Sequence, residues 1–268
     1  MLIASFVVAQ NSPLQFEVAS IKPSPPPGEN RVRIGSRGGP GTTDSSLFTC
    51  ERCSIQGLIR QAFEVENYRI SGPEWMREGR FTVSARIPEG TSKVQFREML
   101  RNLVVDRFQL KYHFQSKEIE AYDLVVAKGG VKMKESSGTP DADEKLGRVG
   151  GPKADPEGFP ILPAGRVAMV MAMANGRAVM RHSDESVEQI AAMLADQLGR
   201  PVTDATGLKG KYDFTLKWVA EGIGTPDDDS APNLLRAVQE QLGLKLEPKK
   251  TTVRVLTIDH VDKTPTEN

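Results

Sequence analysis

Cysteine, histidine and aromatic residues are all scarce in this 268-residue chain, which has two Cys, three His and 6% aromatics. Two cysteines exclude a disulfide-dense scaffold, and a chain of this length buries enough surface to fold without one. Few aromatics disfavour platforms on which sugars or single-stranded bases stack. Neither sign of charge is in excess, since 35 Lys+Arg balance 35 Asp+Glu. That excludes a general polyanion binder, because duplex binding relies on clustered Lys and Arg that displace counterions, so no nucleic-acid partner is expected. No apolar run approaches the roughly 18 residues that span a bilayer. G-x-S-x-G, S-x-x-K and H-E-x-x-H are absent. His113, His182 and His260 are not at the ligand spacing of a helix or hairpin. No catalytic residue, cofactor or metal is therefore expected.

The chain does hold an ordinary globular composition, 38% hydrophobic and 26% charged, enough for one large domain or two modest ones. Met1 to Ala9 is apolar and ends in Val7-Val8-Ala9 before Gln10. Small residues closing an apolar run are how a signal-peptidase site looks. With no positive n-region, the stretch reads as the remnant of a signal peptide over 1–12 or as a first strand. The former implies an exported, periplasmic or extracellular protein.

Phe16 to Ile21 alternates apolar and polar residues, as a half-buried strand does. Lys22 to Asp44 is rich in Pro and Gly and carries Arg31, Arg33 and Arg37, a basic arm. Ile55, Leu58, Ile59, Ala62 and Phe63 then fall on one helical face. A short strand at Tyr68–Ser71, a strand at Phe81–Ile87, a second helical stripe from Phe96 to Phe108, and strands at Leu110–Phe114 and Tyr122–Val126 follow.

The same order returns 132 residues later. Val187, Ile190, Ala191, Leu194 and Leu198 make one stripe, Pro201–Thr203 and Tyr212–Trp218 two strands, and Leu234, Leu235, Val238 and Leu242 another stripe. Leu244–Leu246 and Val253–Val261 close the series. A strand over Leu47–Thr49 would open the first half, and an Asn175-Gly176 hairpin joining Arg166–Ala174 to Arg177–His182 the second. The expected fold class is α+β, with two pseudo-repeated helix–strand–strand–helix–strand–strand units whose small mixed sheets are covered by helices. The first unit spans 13–133, a linker or long loop 134–164, and the second unit 165–268.

FEVASIKP at Phe16–Pro23, ISGPEW at Ile70–Trp75, RFTVSARIPEGT at Arg80–Thr91, LVVAKGGVKMK at Leu124–Lys134 and VTDATGLKGKYDFTLKW at Val202–Trp218 lead to the closing LTIDHVDKTPTEN. Together they resemble the large paralogous family of uncharacterised proteins expanded in soil acidobacteria, the Solibacter-type domain of unknown function. The resemblance spans nearly the whole chain. It implies export, and in some members a similar domain follows a membrane-anchored sensor peptidase of the beta-lactam-receptor type. It transfers no activity or ligand.

Cys50-Glu51-Arg52-Cys53 precedes a helix, where the dipole and free N–H groups stabilise a thiolate. The pair reads as a local structural disulfide, two buried thiols, or a redox or metal pair. In the second half its positions are held by His182 and Glu185. Trp75 and Trp218 seal core edges or line a recognition groove, and Arg31, Arg33 and Arg37 offer an anionic contact. Gly35–Gly41 lacks the Gly-Lys-Ser/Thr of a phosphate loop, and Asp227–Asp229 lacks the spacing of a calcium loop. The leading expectation is a cell-envelope binding or interaction module, using a cleft between repeats or a sheet edge, with an envelope protein or small ligand as partner. The alternative is an envelope enzyme, either a thiol–disulfide oxidoreductase or a hydrolase with an unrecognised site.

Overall fold

The computed structural model describes residues 14–25, 35–138, 154–162, 169–219 and 231–266. In chain order its elements are β1 (Val18–Pro23), β2 (Gly35–Gly38), β3 (Leu47–Cys53), α1 (Ile55–Phe63), β4 (Ile70–Ser71), β5 (Phe81–Arg86), α2 (Lys93–Arg107), β6 (Lys111–Val126) and β7 (Lys134–Glu135). There follow β8 (Met169–Ala174), β9 (Arg177–Ser186), α3 (Val187–Leu198), β10 (Val202–Asp204), β11 (Lys211–Val219), α4 (Leu234–Ala237) and β12 (Leu244–His260). The protein is thus mixed α+β. Its described strands fall into three four-stranded sheets rather than the expected two. The chain divides into two compact units, Met1–Lys117 with Val253–Asn268, and Glu118–Thr252.

In the first unit the strands lie in the order β1-β5-β3-β2, antiparallel throughout. The Ser54 side chain caps α1 by accepting from the Gly57 N–H, and Ile55, Leu58, Ile59 and Ala62 are buried beneath it. Ser92 and Gln95 form a reciprocal capping box on α2, which buries Phe96, Met99, Leu100, Leu103 and Val104. The rings of Phe48 and Phe96, and of Phe81 and Phe108, meet edge to face at 5.1 Å. Here β4 runs parallel to β12 through Ile70 and Leu256. His113 Nδ1 lies 2.9 Å from Asp259, and Gln115 donates to Thr257.

In the second unit the order is β7-β11-β9-β8. Asn175 and Gly176, both at positive φ (50° and 74°), make the two-residue turn between β8 and β9. Ser186 and Gln189 box the start of α3, and Gly199 ends it in the left-handed conformation. Here β10 runs parallel to β6 through Val202 and Tyr122. After α4 the helix widens to a π-helix over Val238–Leu242. Leu234, Ala237, Val238 and Leu242 are buried, while Leu235, expected in the stripe, is exposed.

Two expected strand pairs are single long strands. β6 runs unbroken where two strands flanking Gln115–Ala121 were expected, and β12 does so across Glu247–Thr252. Both faces of β6 are exposed from His113 to Glu118. The backbone ladder therefore continues where no alternation marks it.

Candidate functional site

Two turns of chain lead into helices through the same distortion. Between β3 and β5, Cys50 pairs with Val83 and Cys53 with Phe81, so β3 carries one residue more than its partner. Between β9 and β11, His182 pairs with Phe214 and Glu185 with Tyr212, again with one extra residue. The third residue of each bulge is left-handed, Arg52 at φ 55° and Asp184 at φ 64°. A helix N-cap serine follows each bulge directly.

The ends of the first bulge are joined covalently: Cys50 and Cys53 form a disulfide with Cα atoms 5.8 Å apart. The ends of the second are joined by a hydrogen bond of 3.1 Å between His182 Nδ1 and Glu185 Oε1. Asp184 is held besides by hydrogen bonds from Ser136 Oγ (3.0 Å) and Lys211 Nζ (2.8 Å), while its own N–H donates to Asp213. Cys50 is buried and Cys53 half-buried. Attack on a disulfide needs access to sulfur, so this placement suits a staple.

The remaining sequence candidates scatter. Trp218 is 3% exposed within the second unit's core, which removes it from any exposed recognition groove. Trp75 is half-buried in a 3-10 turn, Glu74–Arg77, with Lys263 Nζ 5.5 Å from its ring. Arg37 is exposed on β2. Arg31, Arg33, the Asp227–Asp229 run and the 1–12 segment lie outside the described residues. Among the described residues no group of three or more His, Cys, Asp or Glu is placed to hold a metal, and no helix is long and apolar enough to cross a membrane.

A surface that no motif announced lies in the first unit. Gln15, Phe16, Glu17, Val18 and Ala19, leading into and opening β1, face Met99, Asn102, Leu103, Asp106 and Arg107 of α2 across a groove of about 330 Å³. Met99 and Leu103 are buried and Phe16 half-buried, giving an apolar floor, whereas Glu17 and Asp106 are exposed at the rim. Asn102 ties the chain down by donating to the Leu14 carbonyl at 2.9 Å. The strand bounding this groove is the terminal one of its sheet. Alternate N–H and C=O groups of such a strand point outward without a ladder partner.

A charged cluster lies in the second unit. Lys217 Nζ donates to Asp155 Oδ2 at 2.6 Å and lies 3.7 Å from Glu157, over the buried Phe159 ring. That hydrogen bond holds the Asp155 carboxyl below its ordinary value, and the same bond lifts the Lys217 ammonium above its own. A depressed carboxylate adds stability above its unfolded pKa of about 3.9, and a raised lysine adds it below about 10.4. The stability difference between wild type and Lys217→Met should therefore stay flat from about pH 5 to 9. It should shrink as pH falls through the folded Asp155 value and as pH rises through that of Lys217. Urea denaturation at stepped pH measures this, and a difference that climbed steadily through neutrality would contradict it.

No curated protein and no solved structure matches the chain. Residues 56–261 match the family model described as a protein of unknown function, DUF3738. That match covers most of both units, and the chain belongs to the DUF3738 family.

Proposed function

We propose that this protein is a non-enzymatic binding module that takes an extended peptide segment as an added strand on β1, with side chains seated in the groove along α2. The carrying observation is the coincidence of an edge strand with an adjoining groove of about 330 Å³. Strand addition draws affinity from main-chain hydrogen bonds and specificity from pockets for alternate side chains. The corresponding edge in the second unit is β7, only two residues long and both charged, the kind of edge that resists pairing. β1 offers six residues.

The apolar floor calls for an aliphatic or aromatic side chain, and the exposed Glu17 and Asp106 call for Lys or Arg flanking it. The disulfide supports an oxidising compartment, periplasmic or extracellular. The matching strand orders and bulges support descent of the two units from one duplicated unit.

Panning a library of extended peptides against the full chain tests the reading. Enriched sequences should place an apolar residue beside basic ones. Methylating alternate backbone nitrogens of the best peptide should weaken binding at least tenfold, since each lost hydrogen bond costs about 1 kcal/mol. Asp106→Lys should weaken it as well. No enrichment, or equal binding of the N-methylated peptide, would overturn the proposal.

A further inference from the structure

We propose that Met169, Met171 and His182 form a thioether–imidazole site for a soft monovalent metal ion of the Cu(I) class, with Met173 beside it. β8 carries methionine at every second position, so the three side chains share one face of the strand. All three are substantially exposed, at 59%, 39% and 43%. Pairing with β9 sets Met169 directly opposite His182 and Met171 opposite the buried Met180. Directly paired residues have Cβ atoms about 4.5–5.5 Å apart on the same face. Met169 and Met171 are about 7 Å apart along the strand. Unbranched methionine side chains with three rotatable bonds close that gap readily.

His182 is prepared as a ligand. Its side chain is 10% exposed and stacks on Phe214, with centroids 5.3 Å apart and planes 4° off parallel. Glu185 Oε1 engages Nδ1 at 3.1 Å. In the neutral ring a carboxylate there accepts a hydrogen bond from Nδ1–H and leaves the Nε2 lone pair for a metal, the outer-shell arrangement that metal-binding histidines use. No hydrogen bond occupies Nε2 among the described residues.

Two neutral sulfurs and one neutral nitrogen form a soft donor set. Thioethers favour Cu(I), whereas carboxylate and carbonyl oxygens serve Mg(II), Ca(II) and Mn(II). The alternative role for exposed methionines is apolar contact, and leucine would serve that equally.

The probe is Ag(I), a redox-inert stand-in, titrated into the full chain with its disulfide intact and its methionine methyls labelled with ¹³C. One equivalent should shift the Met169 and Met171 methyls and the His182 ring nitrogens, and Zn(II) should not. Met169→Leu/Met171→Leu keeps the apolar surface but should lower Ag(I) affinity by roughly 100-fold or more, since even outer-shell losses cost 10–100-fold. An unchanged melting temperature would show that this variant folds, and Glu185→Ala should give a smaller loss. No stoichiometric Ag(I) uptake, shifts spread evenly over all nine methionines, or affinity retained by the leucine variant would overturn the proposal. β8 and β1 belong to different units, so these outcomes leave the peptide experiment independent.

Discussion

Gly243→Ala should destabilise the protein by about 3–4 kcal/mol, far more than alanine at a comparable glycine. Gly243 ends the π-helix at φ 69°, a left-handed conformation that costs an L-residue about 1–2 kcal/mol. A Cβ there would lie 2.0 Å from the Gly130 carbonyl oxygen and 2.8 Å from the Lys132 nitrogen. Both are backbone atoms, so the turn after β6 must move. That turn is held by the Ala127 N–H donating to the Gly243 carbonyl and the Lys132 N–H donating to Leu242, each at 2.9 Å. Losing both adds about 2 kcal/mol. Gly199 is also left-handed, at φ 62°, but nothing lies within 4 Å of its Cβ position, so Gly199→Ala should cost only the conformational part, about 1–2 kcal/mol. Urea midpoints of the two variants measure the contrast, and equal losses would refute the close approach.

Removing the disulfide should cost about 2 kcal/mol, because closing so short a loop takes that much entropy from the unfolded chain. For a unit of this size the melting temperature should fall by about 6 °C. Cys50→Ala/Cys53→Ser and chemical reduction of wild type should give the same shift, measured by thermal melting with and without reductant. Neither should abolish a disulfide-reducing activity, because a staple has none to lose. Wild-type reduction of a generic disulfide substrate that vanished in the variant would restore the oxidoreductase reading. The second unit holds the equivalent bulge with His182 and Glu185. The bulge geometry is therefore compatible with either closure.

Most elements were legible because one face of each is buried. The stripes of α1, α2 and α3, the alternation of β5 and β11, and the Asn175-Gly176 turn all follow from burial on one side or from a left-handed turn requirement. The centre of β6 was not legible because a strand exposed on both faces shows no hydrophobic period, and that of β12 because its half-buried face carries Lys249 and Thr251 rather than apolar residues. β2 and β7 escaped for a related reason, being short and largely exposed. Trp218 misled because an aromatic at a strand end looks the same in sequence whether it seals a core or lines a groove. The groove beside β1 was invisible for a different reason. It joins residues 15–19 to residues 99–107, and only Asn102 and Asp106 beside an apolar helical stripe hint at it. Met169, Met171 and Met173 were visible as a strand, but what they face is decided by register with β9.

The most direct test of strand addition is amide hydrogen exchange of the full chain with and without the best peptide from the library. Binding as an added strand should protect alternate amides between Val18 and Ile21, with smaller changes at Asn102–Arg107 and none at β7. Protection confined to other strands, or binding that leaves the β1 amides exchanging as before, would contradict it.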